Sequence, residues 1–120
     1  MSHEQIGTVR ISDETITAYA ASAALGIKGV YELTGSLTDS ISKNFLGKES
    51  SGKGVKLTRN EDGLILDVYI IVEYKVNIPQ LAWEIQGTVK RDVEEMTELP
   101  VLEVNIHVQG VNLPGEENVR

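Results

Sequence analysis

From Leu64 to Lys75 the sequence alternates in period two. Leu64, Leu66, Val68, Ile70, Val72 and Tyr74 fall on one side. Ile65, Asp67, Tyr69, Ile71, Glu73 and Lys75 fall on the other. Successive side chains of a strand point to opposite faces, so this segment is a strand with one apolar face and one mixed face. The period then changes. Asn77-Ile78-Pro79 opens a helix, with proline tolerated in the first turn. Ile78, Leu81, Ala82, Ile85, Val89, Val93 and Met96 recur at helical spacing until Pro100 stops the pattern. An apolar strand face and an apolar helix stripe must each be buried, and each can cover the other.

The remaining segments fit that frame. Val55 and Leu57 alternate with Lys56 and Thr58, and Asn60-Glu61-Asp62-Gly63 turns the chain back into the long strand. A last strand is expected over Val101 to Val111, with Leu102, Val104, Ile106 and Val108 inside and Glu103, Asn105, His107 and Gln109 outside. Upstream, Gln5 to Ile11 reads as a short first strand. Ser12 caps a helix that runs to about Leu25, with Asp13 and Glu14 complementing the positive end of its dipole. Ile16, Tyr19, Ala20, Ala23 and Ile27 form its expected apolar stripe. Ala18, Ala21 and Leu25 form a second patch, and Gly26 stops the helix. Gly29 to Thr34 reads as a strand, Ser36 to Leu46 as a short amphipathic helix, and Lys48 to Lys53 as a Gly/Ser-rich loop. The predicted fold class is α+β, in the order β-α-β-(short α)-β-β-α-β. It is a two-layer sandwich with two long helices on one face of a mixed β-sheet. One domain is expected over residues 1–120, with its core about 5–113 and a frayed acidic tail at 114–120.

Composition excludes several classes. The chain has no cysteine, so disulfides and thiolate metal sites are ruled out. The segment MSHEQIGTVR lacks the apolar region of a signal peptide, and the most apolar stretch, 64–76, is too short and too charged to span a bilayer. A cytoplasmic location is expected, with no direct membrane insertion and any membrane contact made through a partner. The net charge is −7. It is +1 over residues 1–60 and −8 over residues 61–120, so one half is strongly acidic. Acidity disfavours nucleic acid and anionic lipid, and the asymmetry is compatible with head-to-tail contacts between copies.

No motif carries an obvious chemistry. Gly47 to Lys53 matches the first part of a phosphate-binding loop, but Gly54 stands where a Ser or Thr would bind magnesium, and a strand follows instead of a helix. Gly26-Ile27-Lys28-Gly29 matches a GxxG turn of RNA-binding modules, with Lys28, Lys43, Lys48, Lys53, Lys56 and Arg59 as a basic set. A helix stop followed by a strand accounts for the two glycines equally well. RNA binding through the Gly26–Gly29 turn and the Lys43–Arg59 stretch is therefore the alternative reading. The only histidines are His3 and His107, too few for a metal site. Glu94, Glu95 and Glu98 read as a solvated helix face. No catalytic, cofactor or metal residue is assigned, and the expectation is a non-enzyme.

Trp83 stands apart. By helical rotation it leaves the apolar stripe and lies near Gly87, Lys90 and Glu94. A large aromatic on a polar helix face either belongs to an interface or folds onto a neighbouring loop. The mixed strand face with Ile65, Tyr69 and Ile71, joined by the outward His107, is the second candidate surface. A two-layer fold leaves that face uncovered.

Gly7-Thr8-Val9, Lys53-Gly54-Val55, Asp67-Val68-Tyr69, Val72-Glu73-Tyr74, Ile78-Pro79 and Met96-Thr97 stand in order. They end in Val104-Asn105-Ile106-His107-Val108-Gln109-Gly110-Val111. With these pieces the chain resembles the bacterial alkaline shock protein family, also called the envelope stress response family, of the YloU-like type, over about residues 5–113. The resemblance implies a small cytoplasmic protein of Gram-positive bacteria with no known enzymatic activity. It implies a role in cell-envelope stress, a homo-oligomer, and possible capture by a membrane-embedded protein partner. Two positions depart from the family pattern. Lys75 stands where a Gly often follows the Tyr, and Glu98 where a Gly often follows Met-Thr.

Overall fold

The computed structural model describes residues 6–35, 49–52 and 54–115, the four residues 49–52 by their backbone. The elements are α1 (Asp13–Leu25), β1 (Val30–Leu33), β2 (Glu49–Gly52), β3 (Val55–Asn60), β4 (Gly63–Glu73), α2 (Ile78–Thr97) and β5 (Val101–Asn112). The expected α+β sandwich is present, with both helices on one face of a five-stranded sheet.

β4 is the central strand. Its burial alternates along its whole length, as its sequence requires. On one edge it pairs antiparallel with β3 over 63–68 and with β1 over 70–72. On the other it pairs parallel with β5, and α2 provides the crossover that a parallel pair needs. β2 extends the sheet beyond β3. The hairpin between β3 and β4 closes on Asn60, whose Oδ1 accepts hydrogen bonds from the Asp62 and Gly63 backbone amides at 2.8 and 3.1 Å. Gly63 is compelled. A β-carbon there would lie 2.4 Å from the Pro100 carbonyl oxygen, against which the start of β5 is laid.

The core is aliphatic. Leu57, Leu64, Leu66, Val68 and Ile70 of the sheet meet Leu81, Ile85, Val89 and Val93 of α2 and Ile16, Ala20 and Ala24 of α1. Each fully buried Val, Leu or Ile side chain among them contributes about 1.5–3 kcal/mol. α2 begins at Asn77, whose Oδ1 accepts from the Gln80 amide at 2.9 Å. α1 begins at Ser12, which accepts from the Thr15 amide at 3.1 Å. Arg59 fixes that end to the sheet by donating from Nε to Asp13 at 2.6 Å and from Nη2 to the Ile11 carbonyl at 3.3 Å.

Several expectations are corrected. Residues 6–11 form no ladder, so the first strand is missing from the described part of Gln5–Ile11. Glu49–Gly52 is a strand paired with β3, not a loop. The short helix expected over Ser36–Leu46 lies outside the described residues, as do Lys48, Lys53 and residues 116–120. In α1 the buried residues are Ile16, Thr17, Ala20, Ala21 and Ala24, while Tyr19 and Leu25 are exposed. Alanine surrounds that helix, so its apolar periodicity has little contrast. In β5 a register shift between the pairs at Val101 and Glu103 turns Leu102 outward and Val101 inward. A second shift falls before Gly110.

Candidate functional site

The candidate residues fall on two surfaces on opposite sides of the sheet. The first is the sheet face away from the helices. Asp67 of β4 lies beside Asn105 of β5, and Tyr69 beside His107. His107 Nε2 is 2.8 Å from Asp67 Oδ1, and Asn105 Nδ2 donates to the same oxygen at 3.3 Å. The His107 ring stacks on Tyr69, centroids 4.5 Å apart at 14° between planes. Asp67-Val68-Tyr69 and the Asn105–His107 part of the terminal motif are thus distant in sequence and joined in space. Lys56 of β3 lies across Asp67 on its other side. Ile65 and Ile71 flank this group and are half-buried, as Tyr69 is. No helix among the described residues covers this face.

The second surface is the outer side of α2. Trp83 is 70% exposed, so its ring stands in solvent and does not fold onto a neighbouring loop. Glu84, Gln86, Gly87, Lys90 and Arg91 surround it, all exposed. They line an open depression of about 470 Å³. Lys90 and Glu94 are not simply solvated. Lys90 Nζ donates to Glu94 Oε2 at 2.9 Å and to the Val101 carbonyl at 2.7 Å. Glu94 Oε2 accepts from the Val101 amide at 2.9 Å, and Gln86 donates to the Val104 carbonyl at 3.1 Å. These three side chains satisfy three backbone groups near the start of β5, the Val101 N–H and the Val101 and Val104 carbonyls, and tie the strand to the helix. The Val101 amide, and after it Lys90, holds the Glu94 carboxyl below the usual carboxylate range. Spacing alone signals only the Lys90–Glu94 pair, so the fastening to Val101 escapes a sequence reading.

The structure does not assemble Trp83, Lys90 and Glu94 with Ile65, Tyr69, Ile71 and His107 into one site. It also splits the basic set of the RNA reading. Lys56 lies on the uncovered sheet face, and Arg59 is turned to the helix side by its ion pair with Asp13. Lys43, Lys48 and Lys53 lie outside the described residues. Among the described residues no group of three or more His, Asp or Glu side chains is arranged to hold a metal. No described helix is long and apolar enough to cross a membrane.

Among the described residues the left-handed backbone has two non-glycine occupants, Lys75 at φ 68° and Glu98 at φ 61°. These are the two positions where the sequence departs from the resembling family's glycines. The departures are therefore backbone matters at either end of α2 before they concern any partner.

Comparison with known proteins agrees with this framework. The profile of the alkaline shock protein 23 family, described as having a cell envelope-related function, matches residues 1–113. The uncharacterized protein YqhY of Bacillus subtilis is 37% identical over 113 residues, covering 92% of this chain and 83% of that protein. YloU of the same organism, also uncharacterized, is 33% identical over 109 residues, covering 89% and 90%. A stress response regulator gls24 homolog of Streptococcus pyogenes is 26% identical over 102 residues, and the match spans 57% of its length. No solved structure matches the chain.

Proposed function

The chain belongs to the alkaline shock protein 23 family, and from that membership we propose that it is a non-enzymatic binding and scaffold protein of cell-envelope stress response or homeostasis. It acts by self-association and by contact with protein partners, among them a membrane-embedded protein that holds it at the cytoplasmic side of the membrane. The family description supports the envelope setting, and the name of the streptococcal gls24 relatives supports the stress setting.

One observation carries the mode of action. A sheet face with no helix over it among the described residues presents Ile65 and Ile71 around a group whose polar atoms already bond one another, Asp67 to His107 and Asn105. Such a face offers flat rings and aliphatic edges around a mutually bonded polar group, and its carboxylates Glu73 and Glu103 repel a polyanion, so it suits a protein surface better.

The test places a photo-crosslinking residue at Ile65 or Ile71 and irradiates intact cells. Covalent adducts with a second copy or with a membrane protein are expected, and the same residue at the exposed turn position Glu61 gives none. Equal labelling from all three positions, together with a strictly monomeric protein at high concentration, would overturn the proposal.

A further inference from the structure

Nothing among the described residues accounts for Gly87. It sits mid-way along a 20-residue helix, where glycine is among the poorest residues. A β-carbon there would meet nothing within 4 Å. No neighbour among the described residues requires its absence, and the bare backbone is open to a second molecule.

The residues around it are arranged for a two-fold axis. Trp83 and Glu84 lie one turn before Gly87, Lys90 and Arg91 one turn after. At about 100° per residue, Trp83 and Lys90 fall on one flank of the line through Gly87, and Glu84 and Arg91 on the other. A two-fold axis that crosses the helix at Gly87 reverses its direction and keeps each flank on its own side. Trp83 of one copy then meets Lys90 of the second, and Glu84 meets Arg91, twice each.

We infer that two copies of this chain pair through antiparallel α2 helices crossing at Gly87, held by Trp83–Lys90 and Glu84–Arg91 contacts. The inference rests on the self-association proposed above and gives it a surface and a symmetry. An ammonium over an indole is the best cation–π pair, and tryptophan and arginine dominate the energetics of interfaces. Lys90 has three N–H groups and uses two, on Glu94 and Val101. Its position is thus fixed before the partner arrives. Lys90 and Arg91 are the only bases of α2, in a half of the chain that is otherwise strongly acidic. A second copy supplies the cation for Trp83 and, beside the Asp92 that Arg91 already pairs with at 3.3 Å, a further carboxylate for Arg91 in one register. Bare backbone at the crossing lets the helices approach closely. A helix pair about 30 Å long covers less than the ~800 Å² per partner of a standard interface, so the dimer is a weak, reversible one.

Sedimentation over a wide concentration range tests this with the full chain. The unmodified protein should dimerise with concentration. Glu84→Arg alone and Arg91→Glu alone should each weaken the dimer about tenfold, because each turns two attractive pairs into two repulsive ones. Mixing the two variants should restore it as a heterodimer, since every pair across the axis is then of opposite charge. Trp83→Ala should weaken it without loss of fold, its ring being exposed. A dimer insensitive to these changes, or not rescued by mixing, overturns the α2 pairing and leaves self-association to another surface. A monomer throughout removes both.

Discussion

Replacing Gly87 with alanine should move protomer stability and self-association in opposite directions. In a helix interior alanine is favoured over glycine by about 0.8–1.0 kcal/mol. Nothing in the structure subtracts from that gain, because the added methyl meets no atom within 4 Å. Nothing adds to it either, since the site is exposed and no apolar surface is buried. The expected gain is therefore about 1 kcal/mol, a rise in Tm of about 4 °C for a domain of this size. It is measured by urea and thermal unfolding at low concentration, where the protein is monomeric. In the dimer the same methyl is duplicated at the crossing, where the backbones are closest. Sedimentation should show association weakened several-fold. A fall in protomer stability would mean that the surroundings of Gly87 are tighter than the structure has them. A rise in stability with unchanged association would remove Gly87 from any interface.

Three further outcomes follow from the geometry. Lys75→Gly and Glu98→Gly should each stabilise by about 0.5–1 kcal/mol in urea unfolding, since left-handed backbone costs a non-glycine residue roughly 1–2 kcal/mol, partly offset by the greater freedom of glycine in the unfolded chain; a loss at either site would show that its side chain holds the turn. Glu94→Gln should destabilise the protein at neutral pH and not at low pH. The folded carboxyl sits below its ordinary value of 4.5, so its contribution is complete above that value and disappears as pH falls through the lower folded one. Equal urea midpoints for the two proteins at pH 7 would refute the Val101 fastening. Leu66→Ala, fully buried on the central strand, should cost about 2–5 kcal/mol, and a cost well under that range would mean the helix layer is not packed on β4.

What the sequence disclosed tracks the contrast of its patterns. β4 and α2 are legible because period two and period 3.6 each stand against polar residues on the opposite side. α1 is not, because Ala18, Ala20, Ala21, Ala23 and Ala24 leave Glu14, Thr15 and Ser22 too little contrast to set its rotation, and Thr17 is buried where a hydroxyl is not expected. Its hydroxyl is satisfied by donating to the Glu14 carbonyl at 3.1 Å, which a residue-type scale cannot register. Leu102 is misassigned for a related reason. Pattern counting continues the alternation across a bulge at Val101, the residue whose backbone is bonded to Glu94 and Lys90. At the candidate site, Trp83 was visible as an off-stripe aromatic. The Asp67–His107 contact joins strands forty residues apart and becomes visible only when β4 and β5 are placed side by side.

That placement bears on how the two surfaces relate. β4, α2 and β5 form one unit, with the uncovered face on its strands and the Gly87 face on its helix. The polar groups of the terminal motif serve the sheet itself. Asn105 and His107 satisfy Asp67, His107 also stacks on Tyr69, and Gly110 takes the second register shift. Their spacing therefore reports a structural requirement of two adjacent strands, and matching it in a relative does not identify a shared partner. Specificity has to come from positions that the sheet leaves free, Ile65 and Ile71 on one side of the sandwich and Trp83, Glu84 and Arg91 on the other. Variation at these positions between relatives, with the motif intact, would alter the partner and preserve the fold.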